Sequence, residues 1–106
     1  MEIYHKPPSA QKRENVVRIL VEIADGPRLT FKGRHAWALY ELISAGPKGV
    51  APVEAPAPRW SQYVHMLRRR GVPVVTNEET HGGPYKGRHG RYVLTRPVSL
   101  IEVERR

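Results

Sequence analysis

Three features of the sequence predict an α+β fold. Between Thr30 and Ala45 the apolar residues recur at helical spacing: Ala36, Leu39/Tyr40 and Ile43 form one stripe, widened by Trp37 and Leu42. Trp60, Val64 and Leu67 repeat that spacing at i, i+4 and i+7 inside a second, strongly basic segment, so they share one helical face. Behind that segment Val72–Thr76 and Arg91–Thr95 read as strands on either side of a glycine-rich loop.

In chain order, Met1 to Ala10 holds Pro7-Pro8 and little apolar content. It reads as a flexible arm, residues 1–10, ahead of a single domain over 11–106. Gln11 to Ala24 fits two readings. Val16, Leu20 and Ile23/Ala24 make a helical stripe, whereas Val17, Ile19, Val21 and Ile23 alternate as a strand does. The polar lead Gln11-Lys12-Arg13-Glu14 tilts the reading toward a helix. Asp25-Gly26-Pro27 is a turn, and Leu29 to Phe31 a short extended piece. Thr30 is the expected N-cap of the next helix, and Gly46-Pro47 ends it. Pro47, Pro52, Pro56 and Pro58 forbid a full helix through the following segment, where Val50 to Pro52 is a candidate edge strand. The basic helix runs over 58–70 and stops at Gly71. Asn77 to Gly90, with four glycines, reads as a loop. Val98, Leu100 and Ile101/Val103 suggest a last strand after Pro97, and Glu102 to Arg106 a solvated end.

The 106 residues contain no cysteine, which excludes disulfides and thiolate metal sites. No apolar run is long enough for a membrane span, and Met1 to Pro8 lacks the apolar core of a signal peptide. A bacterial cytoplasmic location is therefore expected. The formal net charge is +8, and its placement is informative. Residues 59–96 hold eight Lys/Arg against Glu78 and Glu79, whereas the ten remaining C-terminal residues balance. The excess thus sits on the basic helix and the loop beyond it. Such a face attracts phosphate, although charge alone fits a solvated surface equally well.

An amphipathic helix with donors and cations on its outer face, followed at once by a β-hairpin, is the layout of a winged helix-turn-helix. The expected architecture is a three-helix core with a C-terminal β-hairpin wing. On it, Arg59, Ser61, Gln62 and His65 would face the major groove. Gln pairs bidentately with adenine, Arg with guanine, and Ser with either. Arg68 and Arg69, near the helix end, are placed for phosphates. Lys86, Arg88, His89 and Arg91 on the wing, residues 77–91, would follow the backbone or enter the minor groove. For each residue the bland alternative is plain solvation. Trp37 and Tyr40 are read as core, and His35, in the first turn, as exposed.

Several stretches resemble a family of small winged-helix proteins of α-proteobacterial genomes, often in phage or prophage settings. They are Gly33-Arg34-His35-Ala36-Trp37-Ala38-Leu39, Gly46-Pro47-Lys48-Gly49-Val50, Pro56-Ala57-Pro58-Arg59-Trp60-Ser61, Leu67-Arg68-Arg69-Arg70-Gly71-Val72, His81-Gly82-Gly83-Pro84-Tyr85 and His89-Gly90-Arg91-Tyr92-Val93-Leu94. The resemblance covers roughly residues 30–100 and implies the fold and DNA binding. The proline-broken segment 52–58 departs from the usual two-helix brace.

The leading functional reading is a duplex DNA binder, a small prophage-type transcriptional regulator, with double-stranded DNA as partner and a homodimer left open. The alternative is an interaction module, an adaptor in a phage or nucleoprotein complex, that kept the fold without sequence-specific binding. An RNA binder would favour exposed aromatics on a sheet face, and the aromatics here read as core. No enzyme, metal or cofactor is expected. There is no Walker loop, and no helix follows Gly82-Gly83 and Gly87 to complete a dinucleotide fingerprint. His81 and His89, without carboxylates or cysteines nearby, make a poor zinc site.

Overall fold

The computed structural model describes residues 15–52, 59–81 and 87–106. The expected arm 1–10, most of the proline-rich brace and the tip of the wing lie outside them. The chain runs β1 (Val16–Ile23), β2 (Arg28–Lys32), α1 (Gly33–Ala45), a 3-10 turn (Gly46–Lys48), α2 (Trp60–Arg69), β3 (Val74–His81), β4 (Gly87–Leu94) and β5 (Val98–Arg105). The strands form an antiparallel sheet of order β2-β1-β5 and a separate β3-β4 pair.

The tilt toward a helix at 11–24 is overturned for residues 16–23, whereas residues 11–14 lie outside the described residues. Residues 16–23 are the central strand of the three-stranded sheet. Ile19, Val21 and Ile23 are buried, as strand alternation requires. The pattern breaks before them, because Val17 is an extra residue between the Val16↔Arg105 and Arg18↔Glu104 pairs. That bulge turns Val16 inward instead. Among the described residues there are two α-helices, so a third helix of the expected core is not found among them. Nor is the β3-β4 hairpin C-terminal, since β5 follows it and closes on β1. Glu102, Glu104, Arg105 and Arg106 are exposed, as a solvated end implies, and the chain up to Arg105 is held in β5. Arg18 pairs with Glu102 at 3.6 Å, and Arg105 Nη2 donates to Tyr40 Oη at 2.7 Å.

Thr30 does not cap α1. It lies in β2, opposite Leu20, and the residue at the N-cap is Lys32, with no side-chain bond. Strand pairing buries the Phe31 ring, a gain of about 1.5–3 kcal/mol that exceeds the ~1 kcal/mol of a cap. α1 ends at Gly46 as expected, whose N–H donates to the Leu42 carbonyl. The helix packs on the β2-β1-β5 sheet on one side and on α2 on the other. Its burial consequently spreads beyond one stripe to Ala36, Trp37, Ala38, Leu39, Glu41 and Leu42. The apolar members join Phe31, Val98, Trp60, Tyr63, Val64 and Leu67 in one continuous core.

Candidate nucleic-acid interface

α2 is amphipathic and carries no acid. Trp60, Tyr63, Val64 and Leu67 are buried, whereas Ser61, Gln62, His65, Arg68 and Arg69 are exposed. Gln62, His65 and Arg69 follow at i, i+3 and i+7, so one outer row carries an amide, an imidazole and a guanidinium. Arg68 and Arg69 lie in the last turn, where the helix dipole favours cations. Arg59, at the N-cap, donates from Nη1 to Gln62 Oε1 at 3.2 Å. This exposed contact is weak enough to exchange for a base edge.

The helix stops by a Schellman motif. Gly71, at φ +97°, donates to the Arg68 carbonyl at 3.0 Å, and Val72 donates to that of Leu67 at 3.0 Å. Val72 is thus spent on the helix end, and the strand expected from Val72 begins at Val74. Most of the expected loop 77–90 is strand: Asn77 pairs with Arg91, Glu78 with Gly90, Glu79 with His89, Thr80 with Arg88 and His81 with Gly87. Ladder hydrogen bonds join backbones and require no apolar side chains, so a polar, glycine-containing sequence can hold a hairpin. Lys86 lies outside the described residues. Arg88 and His89 are placed on β4 by register.

Tyr92 ties the hairpin to the core through its backbone and its ring. Val50, the candidate edge strand, exchanges two 2.8 Å hydrogen bonds with Tyr92. The Tyr92 ring stacks on Trp60 at 5.8 Å and 21°, and Trp60 in turn meets Trp37 at 5.3 Å. Both tryptophans are thus core residues. Gly49 makes the Val50 bridge sterically feasible. Its φ is +72°, and a Cβ there would lie 2.5 Å from the Tyr92 carbonyl oxygen.

The arginine triplet divides its work. Arg68 donates from Nε to the Val74 carbonyl and from Nη2 to Thr76 Oγ1, each at 2.8 Å. Arg70 Nη1 donates to the Thr30 carbonyl at 2.7 Å, and its guanidinium lies 4.3 Å over the Phe31 ring. Arg69 makes no side-chain bond to a described residue and points into solvent. Arg91 Nη1 reaches the Lys48 carbonyl at 3.4 Å. His35 is half-buried rather than exposed, edge-on to Tyr63 at 5.8 Å. Sequence reasoning passed over Arg70 and Gly49. The glycines flanking Pro47-Lys48 were the one available signal for the latter.

Residues 28–104 match a family described as a winged helix domain. The chain belongs to that family. Membership suggests DNA binding in general. No curated protein and no solved structure matches the chain. The matched span begins after β1, although β1 lies between β2 and β5 in the winged-helix chain. Among the described residues no helix is long and apolar enough to cross a membrane, and no cluster of His, Asp and Glu could hold a metal ion.

Proposed function

We propose that this winged-helix protein binds duplex DNA sequence-specifically, as a small transcriptional regulator of the prophage type, and is not an enzyme. One observation carries the reading: α2 buries Trp60, Tyr63, Val64 and Leu67 and presents Ser61, Gln62, His65 and Arg69 to solvent, with no acid on the helix. At 1.5 Å per residue this helix is about 15 Å long, enough to lay its outer row along a major groove. Arg59, Ser61, Gln62 and His65 read bases. Arg69, together with Lys86, Arg88, His89 and Arg91 of the wing, holds phosphates. Such a regulator works in the bacterial cytoplasm, on the nucleoid when bound.

The test is a titration of labelled random and selected duplexes over a salt series. If several cations meet phosphates, log affinity falls with log salt by about 0.9 per phosphate neutralised. The same titration gives the number of copies per site, and so separates a monomer from a homodimer. No binding at low salt, or a flat salt response, would refute the reading and favour a protein-interaction module.

A further inference from the structure

We propose that Arg68 is a positioning residue that locks the β3-β4 wing to the reading helix, and not a phosphate ligand. The proposal rests on the DNA-binding reading above and reassigns one of the cations that the sequence offered to phosphate.

The geometry comes from the helix stop. The turn at Gly71 reverses the chain within three residues, so β3 starts alongside the last turn of α2. Arg68 then reaches across that turn to two acceptors, the Val74 carbonyl and the Thr76 hydroxyl, with donors on different nitrogens of one planar group. Two bonds from a rigid fork fix the orientation as well as the distance of what they join. Both acceptors are neutral, so the contact is no ion pair that salt would screen strongly. The backbone carbonyl it occupies belongs to the outer strand of the hairpin, since β3 pairs with β4 alone.

The wing thus meets α2 at both ends. Trp60, in the first turn, stacks on Tyr92 of β4, and Arg68, eight residues later or about 12 Å along the axis, holds β3. The Val50–Tyr92 bridge fastens β4 at the Trp60 end, and the two Arg68 bonds fasten β3 at the other. Together they set one angle between the helix and the wing, and hence where the wing meets a duplex when the helix lies in a groove. Arg69 beside it lacks such bonds and remains available for phosphate.

The decisive variant is Arg68→Lys, which keeps the charge and loses the fork, compared with Arg68→Gln and with Arg69→Gln. In the free protein, NMR should show a slowly exchanging Arg68 Nε–H. Residual dipolar couplings should report a changed orientation of β3-β4 relative to α2 in both Arg68 variants. On DNA, Arg68→Lys should keep the wild-type salt slope and affinity for random duplex while losing about tenfold at the selected site, ~1.4 kcal/mol. Arg69→Gln should weaken both duplexes and flatten the slope by about 0.9. Full rescue by Arg68→Lys, with a slope flattened by Arg68→Gln, would overturn the proposal in favour of a phosphate ligand. A fast-exchanging Nε–H, or an unchanged wing orientation, would also overturn it. If the wild type binds no duplex, the DNA reading fails, and the lock is still decided by the exchange and orientation measurements.

Discussion

Replacing Gly49 by alanine perturbs the point where the wing is fastened to the end of α1. Gly49 sits at φ +72° and ψ −173°, a region nearly reserved for glycine, where another residue costs of order 1–3 kcal/mol. The added Cβ would also meet the Tyr92 carbonyl oxygen at 2.5 Å and Val93 Cγ2 at 2.6 Å. The strand must therefore move away, and breaking the two Val50–Tyr92 hydrogen bonds costs about 0.5–1.5 kcal/mol each. Gly46→Ala is the matched control. Gly46 has φ +61° and ψ −141°, but nothing lies within 4 Å of its Cβ position, so it should bear the strain alone. The difference between the two variants isolates the clash, at about 1–3 kcal/mol. Urea unfolding followed by the fluorescence of Trp37 and Trp60 measures both, each ring being within the aromatic ladder that ends at Tyr92. Equal losses would show that Gly49 is required for its backbone conformation alone, and that the wing is not packed on this turn.

Further outcomes follow from the same packing. Trp60→Ala should destabilise the fold by about 3–5 kcal/mol, because the ring is buried between Trp37 and Tyr92. An unchanged melting temperature with abolished DNA binding would instead make Trp60 a stacking residue. A chain cut to the matched span 28–104 should fail to unfold cooperatively, as seen by circular dichroism. It lacks β1, whose Ile19, Val21 and Ile23 are each worth about 1.5–3 kcal/mol of burial, against a total of about 5–15 for a domain. A cooperative transition in that fragment would mean that β2 and β5 can close on each other without their central strand.

Much of this architecture is legible in local signals. The inward row of α2, its stop at Gly71, the end of α1 at Gly46 and the last strand after Pro97 follow from spacing and from turn residues. What escaped depends on partners distant in sequence. Gln11–Glu14 resembles a helix start, and only pairing of residues 16–23 with both β2 and β5 makes them a strand. Thr30 has the chemistry of a cap, yet the burial of its neighbour Phe31 decides its place. The polar run Asn77–His81 looks like loop because a two-stranded wing needs few apolar side chains. For the candidate site, composition supplies the exposed row Ser61, Gln62, His65 and Arg69. It cannot divide Arg68, Arg69 and Arg70, since the acceptors Val74, Thr76 and Thr30 are brought to Arg68 and Arg70 by the turn at Gly71 and by the sheet.

The central claim is that the outer face of α2 reads sequence. Its most direct test compares Gln62→Ala and His65→Ala with the wild type on a duplex recovered by selection from random sequence and on a scrambled control. Both residues are exposed and three apart on one face, so their removal leaves the core intact. Removing a side chain that bonds a base edge should cost about 1–3 kcal/mol at the selected site, with affinity for the scrambled duplex nearly unchanged. Equal weakening of both duplexes, or of neither, would contradict the claim and transfer the reading role to another part of the chain.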